Sequence, residues 1–571
     1  MSDWEPVVRD LARKYALENA VKHGGKANPG AVIGKIMAEN PDLRPHAKAI
    51  PGVVAGVVAT VNAMTTTAQT AAFAEVADQV IQRDKKRDDH PLKPLPDAEP
   101  GKVVMRFAPN PSGPATFGHA RGMVIHWSYK QRYDGKVILR FDDTDATVKR
   151  PMMEAYDWIP EDFEWLCGKP DLVIKASDRM AHYYQAARDV LERGGAYICE
   201  CDAESFRTLK NAGKACPCRD NEIPTNLERW QGMLDGRYQP GEATLRVKTD
   251  ITHKDPALRD WVGFRLARDA HPLVGDRYRA WPLLDFQSAV DDHLTGVTHI
   301  IRGKDLMDST RKQKFLYDHF GWQYPHTVYW GRVSVHEFGK FSKSRLNEAI
   351  AKGEFSGWDD PRLPTLRALR RRGFTAEGIT NFWLGFGITE KDIAASTQTL
   401  EAENKKILEP LADRYFFVPE PTALSIDGLT KTQATPARHP DEPARGTRTL
   451  SLDPPRVHVA SRDLSGVGQA LRLKELGNIE VGEDEDGLRA TWMGDDLAWA
   501  KEHRAPIVQW VPDNGAIRAR LVMGDNSHVD GLVESALSHV EEGARVQLER
   551  VGFARVDHCG REGIVLYYTH G

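Results

Sequence analysis

Apolar residues in the first 83 positions recur at helical spacing. Trp4, Val7, Val8, Leu11, Tyr15 and Ala16 fall three and four apart and predict one buried helix face. Asn28-Pro29-Gly30 interrupts the pattern, and two or three further helices are expected after it, so residues 1–83 read as a helical extension. Residues 84–102, "DKKRDDHPLKPLPDAEPGK", are charged and proline-rich without an apolar stripe and read as a linker. A short apolar run at Val103–Phe107 then predicts a buried strand, a helix is expected over Gly118–Arg132, and "KVILRF" after Asp134-Gly135 predicts a second strand ending in "DDTD". Strand, loop, helix, strand favours a parallel nucleotide-binding sheet, whose ligands sit beyond the carboxyl ends of the strands.

Further along, "MAHYYQAARDVLERGGAY" (Met180–Tyr197) reads as a helix, "VTHIIRG" within Trp281–Arg302 as a strand-like stretch, and residues 361–410 as helical again. From about Phe416 the pattern changes to short β-rich runs such as "RVHVA", "IVQWV", "RARLVM", "RVQLERVGFARV" and "GIVLYY". Short strands at regular spacing suggest β-barrels over 411–571.

A chain of 571 residues is too long for one core and calls for several domains of roughly 150 residues each. A formal net charge of -4 supplies no global attraction to nucleic acid, so any such contact must come from local basic patches. No apolar run reaches the roughly 20 residues of a membrane span. The longest, Ile50–Met64, is broken by glycines. The N-terminus lacks a basic-then-apolar leader, and the expected location is the cytoplasm, with no membrane partner. In that compartment the clustering of Cys199, Cys201, Cys216 and Cys218 suggests metal before disulfide.

Two stretches suggest phosphate chemistry. In "PNPSGPATFGHAR" (residues 109–121) prolines fix φ, Gly113 and Gly118 allow close approach, and a helix starting near Gly118 would aim N–H groups and His119 at an anion. In "GKFSKSR" (Gly339–Arg345) Lys340 and Lys343, with Ser342 and Ser344, suit a loop that grips polyphosphate. Either stretch alone is compatible with an ordinary tight turn or a solvated basic turn.

Together they resemble the paired His-Ile-Gly-His and Lys-Met-Ser-Lys-Ser motifs of class I aminoacyl-tRNA synthetases. Here they read Thr116-Phe117-Gly118-His119 and Lys340-Phe341-Ser342-Lys343-Ser344, with Thr116 in place of the first histidine. "RFAPNPSGP", "LRFDDTD", "DDHLTGVTHIIRGKDL" and residues 363–392 resemble the glutamyl/glutaminyl branch, and the β-rich end is similar to that of archaeal glutamyl and eukaryotic-type glutaminyl members. The resemblance covers roughly residues 100–571. It implies a multidomain α/β protein: a Rossmann-type domain at 103–360 with an acceptor-end insertion around 195–280, a helical connection at 361–410, and β-barrel anticodon-binding domains at 411–571.

The resemblance also implies roles. Pro109, Gly118, His119, Lys340, Ser342 and Lys343 would bind ATP, with His119, Lys340 and Lys343 catalytic. Arg106 and Arg302 would hold the substrate carboxylate and Asp142 its ammonium. A planar guanidinium suits a carboxylate, and two of them would leave a glutamine amide facing unpaired positive charge, so Arg302 favours glutamate. Leu284 stands where the family commonly has a tyrosine, with Tyr278, Asp285 and Gln287 nearby. The cysteines offer a closed four-thiolate site for a structural Zn²⁺. Arg367, Arg370, Arg371 and Arg372 form a basic run suited to tRNA phosphates or to a solvated helix face. The expected reaction joins L-glutamate to tRNA(Glu) using ATP and Mg²⁺, with tRNA(Gln) a further substrate of archaeal-type members. The alternatives are a glutaminyl enzyme and a non-catalytic tRNA-binding protein.

Overall fold

The computed structural model describes residues 4–76, 90–338, 343–485 and 487–571. The chain divides into two units, Met1–His90 and Pro91–Gly571.

The first unit is helical: Trp4–Lys22, Pro29–Glu39, Ile50–Asn62 and Thr66–Ala74. Asn28 ends the first pattern by capping the second helix, its side chain accepting the N–H groups of Gly30 and Ala31. The buried face of Trp4–Lys22 is rotated from the expected one. Val8, Ala12, Tyr15 and Ala16 pack inward, whereas Val7 is 43% exposed. Alanines, weak as pattern markers, define this face because they let the Ile50–Asn62 helix approach. No single helix among the described residues is long and apolar enough to cross a membrane.

In the second unit the strands Val104–Phe107, Lys136–Phe141 and Leu172–Lys175 pair in parallel, and His299–Gly303 pairs in parallel with His326–Trp330. The Thr298 N–H donates to the Val104 carbonyl at 2.9 Å and brings the two groups side by side. The helix Phe117–Tyr133 makes the first crossover. Residues 84–89 of the stretch 84–102 lie outside the described residues. Its later part lies along the body: Leu92 and Leu95 are buried, and Tyr129 Oη donates to the Lys93 carbonyl at 2.7 Å.

The helix expected to reach Tyr197 stops at Glu192. Gly194, with φ +71°, and Gly195 turn the chain, and Ala196–Cys199 becomes the first strand of an antiparallel sheet with Thr244–Val247, Val262–Leu266 and Ala280–Pro282. Residues 361–410 hold the helices Leu366–Arg372, Ala376–Phe386 and Thr397–Leu408 and one short strand, Ile393–Ala395.

The last third forms two seven-stranded, barrel-like sheets. The chain lays down Arg414–Tyr415 and Phe417–Pro419 in one sheet, leaves to build the other between Pro421 and Pro512, and returns with Ile517–Val522 to finish the first. Arg448 and Glu534, both buried, pair at 2.9 Å, while the Phe416 N–H donates to Glu534 at 2.7 Å. Gly531 lies opposite Pro419 where the chain crosses between sheets. A Cβ there would collide with the Val418 carbonyl oxygen and lie 2.9 Å from a Phe417 ring carbon. Gly531→Ala is therefore expected to destabilise the β-rich region by about 1–3 kcal/mol, read as a lower thermal midpoint. An unchanged midpoint would show that the strand yields without strain.

Candidate active site

The proline-rich loop is held from both sides. The Pro109 carbonyl accepts the Asp142 N–H at 3.1 Å, and the Pro111 carbonyl accepts the Met152 N–H at 2.8 Å. Asn110 Nδ2 donates to the Asp142 carbonyl at 2.9 Å. The Ala115 N–H donates to buried Asp162 at 3.3 Å, and burial pushes the Asp162 carboxyl up to about 7. At the far end Phe117 N–H donates to the Pro364 carbonyl at 2.8 Å.

The Thr-Phe pair opens the helix Phe117–Tyr133. Thr116 is its N-cap: Thr116 Oγ1 accepts the His119 N–H at 3.4 Å, and the Thr116 N–H donates to His119 Nδ1 at 3.2 Å. This is a capping box with histidine in the usual Glu position. Nδ1 is the acceptor, so a neutral ring carries its proton on Nε2. Phe117, 3% exposed, packs among Phe338, Phe382 and Trp383 and fixes the entry angle. Gly118 is exposed, and a Cβ there would meet only Thr116 Oγ1 at 3.7 Å. Nothing among the described residues demands glycine at that point.

Lys340 and Ser342 lie outside the described residues. Lys343 opens the helix Lys343–Ala351.

Beyond the strand ends lies a cavity of about 670 Å³ that brings Arg106, Asp142 and Arg302 together. Arg106 Nε donates to Asp292 at 3.1 Å, and Arg140 Nη1 donates to the same oxygen at 2.7 Å. Arg140 Nε donates to Asp142 Oδ1 at 2.7 Å, and Gln287 Nε2 links Asp142 to Asp291 at 3.1 and 3.0 Å. Asp291 receives Arg179 Nε and Tyr183 Oη, each at 2.6 Å. Burial alone would raise the Asp292 carboxyl, but Arg106, Arg140 and Arg302 outweigh it and hold Asp292 below the usual range. Burial raises Asp142, against the opposing pull of Arg140. The linked network balances the guanidiniums of Arg106, Arg140 and Arg179 against the carboxylates of Asp142, Asp291 and Asp292, and Arg302 stands beside it, bonded to Gln313 and without an ion pair among the described residues.

Arg140, Asp291, Asp292 and Gln313 were not singled out as site residues from the sequence. The adjacent acids of "DDHLTG" on a helix facing the strand ends were the available signal. Leu284 lines the cavity and is 41% exposed. Asp285 also lines it and pairs with Lys312 at 3.0 Å. Tyr278 instead packs edge-on against Trp281. In the "DDTD" run, Asp143 is buried and accepts Tyr156 Oη at 2.6 Å, while Asp145 caps the following turn by accepting the Val148 N–H at 2.9 Å. A smaller space of about 160 Å³ adjoins, with Gly118, Arg121 and Trp383 in its wall and Gly303, Asp305 and Trp330 shared with the large cavity.

Cys199 ends the strand Ala196–Cys199 and Cys201 follows it, while Cys216 and Cys218 lie beyond the helix Ala203–Asn211. Their sulfurs all lie within 4.8 Å of one another, with Cys199–Cys216 at 3.8 Å and Cys201–Cys218 at 3.9 Å. Tetrahedral bonds of about 2.3 Å to one zinc ion would separate sulfurs by about 3.8 Å, so the donor set fits this ion. The distances exclude disulfides.

The basic run forms the helix Leu366–Arg372. Arg371 pairs with Asp557 at 3.0 Å and Asp359 at 3.1 Å, and Arg372 Nη2 donates to the Thr569 carbonyl at 3.1 Å. These bonds join the helix to the last sheet. Arg367 and Arg370 line a cleft of about 740 Å³ with Trp158 and Trp358, and Arg367 pairs with Glu161 at 2.8 Å.

This architecture coincides with a family defined by comparison. Residues 102–410 match the model for the catalytic domain of the class I tRNA synthetases (E and Q), and residues 412–491 and 507–557 match its anticodon-binding domains. The chain belongs to the class I tRNA synthetases of the E and Q group, as the paired motifs suggested. It is 48% identical over 567 residues to the glutamate–tRNA ligase of Methanothrix thermoacetophila, covering 99% of each chain. It is 47% identical over 566 residues to that of Methanosarcina mazei, covering 98% of each. The Pyrococcus furiosus glutamate–tRNA ligase is 43% identical over 571 residues.

Since Thr116 caps the motif helix, Thr116→Ala is expected to cost about 0.5–2 kcal/mol and lower the thermal midpoint, while Thr116→Ser keeps it. Equal midpoints for all three proteins would remove the cap from the account.

Proposed function

We propose that this protein ligates L-glutamate to the 3′ end of tRNA(Glu). The observation that carries this reading is the cavity in which Arg106 and Arg302 stand beside Asp142, Arg302 having no carboxylate partner among the described residues. A glutamate side chain supplies the missing negative charge. Glutamine would leave a guanidinium unpaired in a site screened from water, which disfavours it. The names of the relatives agree with this assignment.

The geometry supports a definite division of labour. Arg302 and Arg106 take the substrate's side-chain carboxylate. Asp142 Oδ1 is committed to Arg140 and Gln287, which leaves Oδ2 for the α-ammonium. The α-carboxylate oxygen then attacks the α-phosphorus of ATP; a P–O bond forms and pyrophosphate leaves. His119 Nε2–H at the helix start, together with Lys340 and Lys343, stabilises charge on the phosphates, and Pro109, Gly118 and Ser342 shape their approach. Mg²⁺ enters with ATP. In the second step the terminal adenosine hydroxyl of tRNA attacks the activated carbonyl carbon and AMP leaves. Arg370 is the member of the basic run most suited to tRNA phosphate, because Arg371 is committed to carboxylates. Such work belongs in the cytoplasm, where tRNA is used.

The test is tRNA charging with labelled glutamate or glutamine, on tRNA(Glu) and tRNA(Gln). Glutamate is expected to be favoured over glutamine by about 10³-fold or more in kcat/KM, and Lys343→Ala to slow charging by orders of magnitude. Charging with glutamine alone would replace the substrate. No charging with either would leave a non-catalytic tRNA-binding protein.

The four thiolates are assigned to a structural Zn²⁺ that holds the insertion's cysteine loop closed. Protein purified without chelators should carry about one equivalent of zinc, and Cys216→Ser should lose it. Less than about half an equivalent in the unaltered protein would overturn the assignment.

A further inference from the structure

Among the buried guanidiniums of the cavity, Arg302 is held differently. Arg106 and Arg140 are pinned by carboxylates. Arg302 makes no ion pair among the described residues. Its Nη1 and Nη2 both donate to Gln313 Oε1, each at 3.2 Å, and Tyr324 Oη donates to the same oxygen at 2.6 Å. Burial raises the Tyr324 phenol, so it stays a neutral donor. Gln313 Nε2 in turn donates to Ser288 Oγ at 2.5 Å. Arginine can only donate, so the atom facing it must be the amide oxygen, and the orientation of Gln313 is determined by its neighbours. Gln313 is 1% exposed and Ser288 3%, and both line the cavity with Arg302.

An amide and a carboxylate have nearly the same shape, but they differ in what they do to the guanidinium. A glutamate at 313 would hold Arg302 more tightly and cancel its charge. Glutamine orients the fork without adding a negative charge to it. Nε of Arg302 has no hydrogen-bond partner among the described residues, so the group retains a donor as well as its charge. Arg302 is thus the guanidinium beside Arg106 and Arg140 that has no carboxylate bonded to it among the described residues.

We propose that Gln313 is a positioning and specificity-determining residue: by holding Arg302 with a neutral acceptor, it keeps that guanidinium charged towards the substrate and sets the preference for glutamate over glutamine. This rests on the glutamate reading of the cavity.

The experiment compares Gln313→Glu, Gln313→Met and Arg302→Ala in tRNA charging, with KM and kcat for glutamate, glutamine and ATP and a thermal midpoint for each protein. Gln313→Glu is expected to raise KM for glutamate about tenfold to a hundredfold, leave KM for ATP unchanged, and shift the glutamine-to-glutamate ratio of kcat/KM at least tenfold towards glutamine. Gln313→Met keeps the cavity neutral at that position and should raise KM for glutamate only a fewfold with the ratio unchanged. Two results overturn the proposal: the Glu and Met variants behaving alike, or every KM rising together as the midpoint falls. If Arg302→Ala leaves KM for glutamate unchanged, the glutamate reading itself fails. If Arg302→Ala raises it while Gln313→Glu does not, only the role of Gln313 fails.

Discussion

The shared carboxylate of Asp292 is the contact around which the second unit is arranged. It receives Arg106 from one parallel strand and Arg140 from the next, and it stands on the helix Leu284–Leu294. Burying such groups is costly, and only good geometry with further hydrogen bonds offsets the desolvation. Removing one partner would leave an unpaired buried charge, at a cost of about 3–5 kcal/mol. The network therefore demands that two strands and one helix keep fixed relative positions. Gln287 and Tyr183 extend the demand to the "DDTD" loop and the helix Met180–Glu192. The cavity is the space these constraints leave open.

A site built this way is preorganised before any substrate arrives. Its cations are already dehydrated and oriented, so binding need not reorganise them. The proline-rich loop follows the same logic with different means. Its carbonyls and N–H groups are bonded to Asp142, Met152 and Asp162, and Thr116 and Phe117 lock the helix that follows. Thr116, which stands where the family has a histidine, is bound up in the cap. In the proposed reaction the chemistry of the motif therefore falls to His119, which the Thr116 N–H holds in one tautomer.

Much of this was legible in the sequence where the information is local. "KVILRF" is the strand Lys136–Phe141, and the β-rich runs after Phe416 are strands. Local readings failed where a neighbour decides the outcome. The inward face of Trp4–Lys22 turned because alanines admit another helix, and Gly194-Gly195 ended a helix that periodicity alone would extend. Arg106, Asp142 and Arg302 are named by motif resemblance, and the structure places them in one cavity. Asp292 and Gln313 are not, because what sets them apart is their pairing with distant residues. The partner Arg106 lies 186 residues from Asp292 in the chain. No periodicity or spacing encodes such a contact.

The basic run at 367–372 teaches the complementary lesson. Consecutive arginines on a short helix suggest a surface for phosphate, yet Arg371 and Arg372 are turned to Asp557 and the Thr569 carbonyl. The helix is a joint between the helical connection and the last sheet. A charged joint of this kind transmits orientation, because a bidentate guanidinium bond is directional in a way that apolar packing is not. The same residue type therefore serves two ends in this chain. Arg371 and Arg372 use donors to fix geometry, whereas Arg302 is held by a neutral amide and, in the proposed reaction, keeps its charge for the substrate. Sequence records the arginine in each case, and the acceptor across from it decides which task it performs.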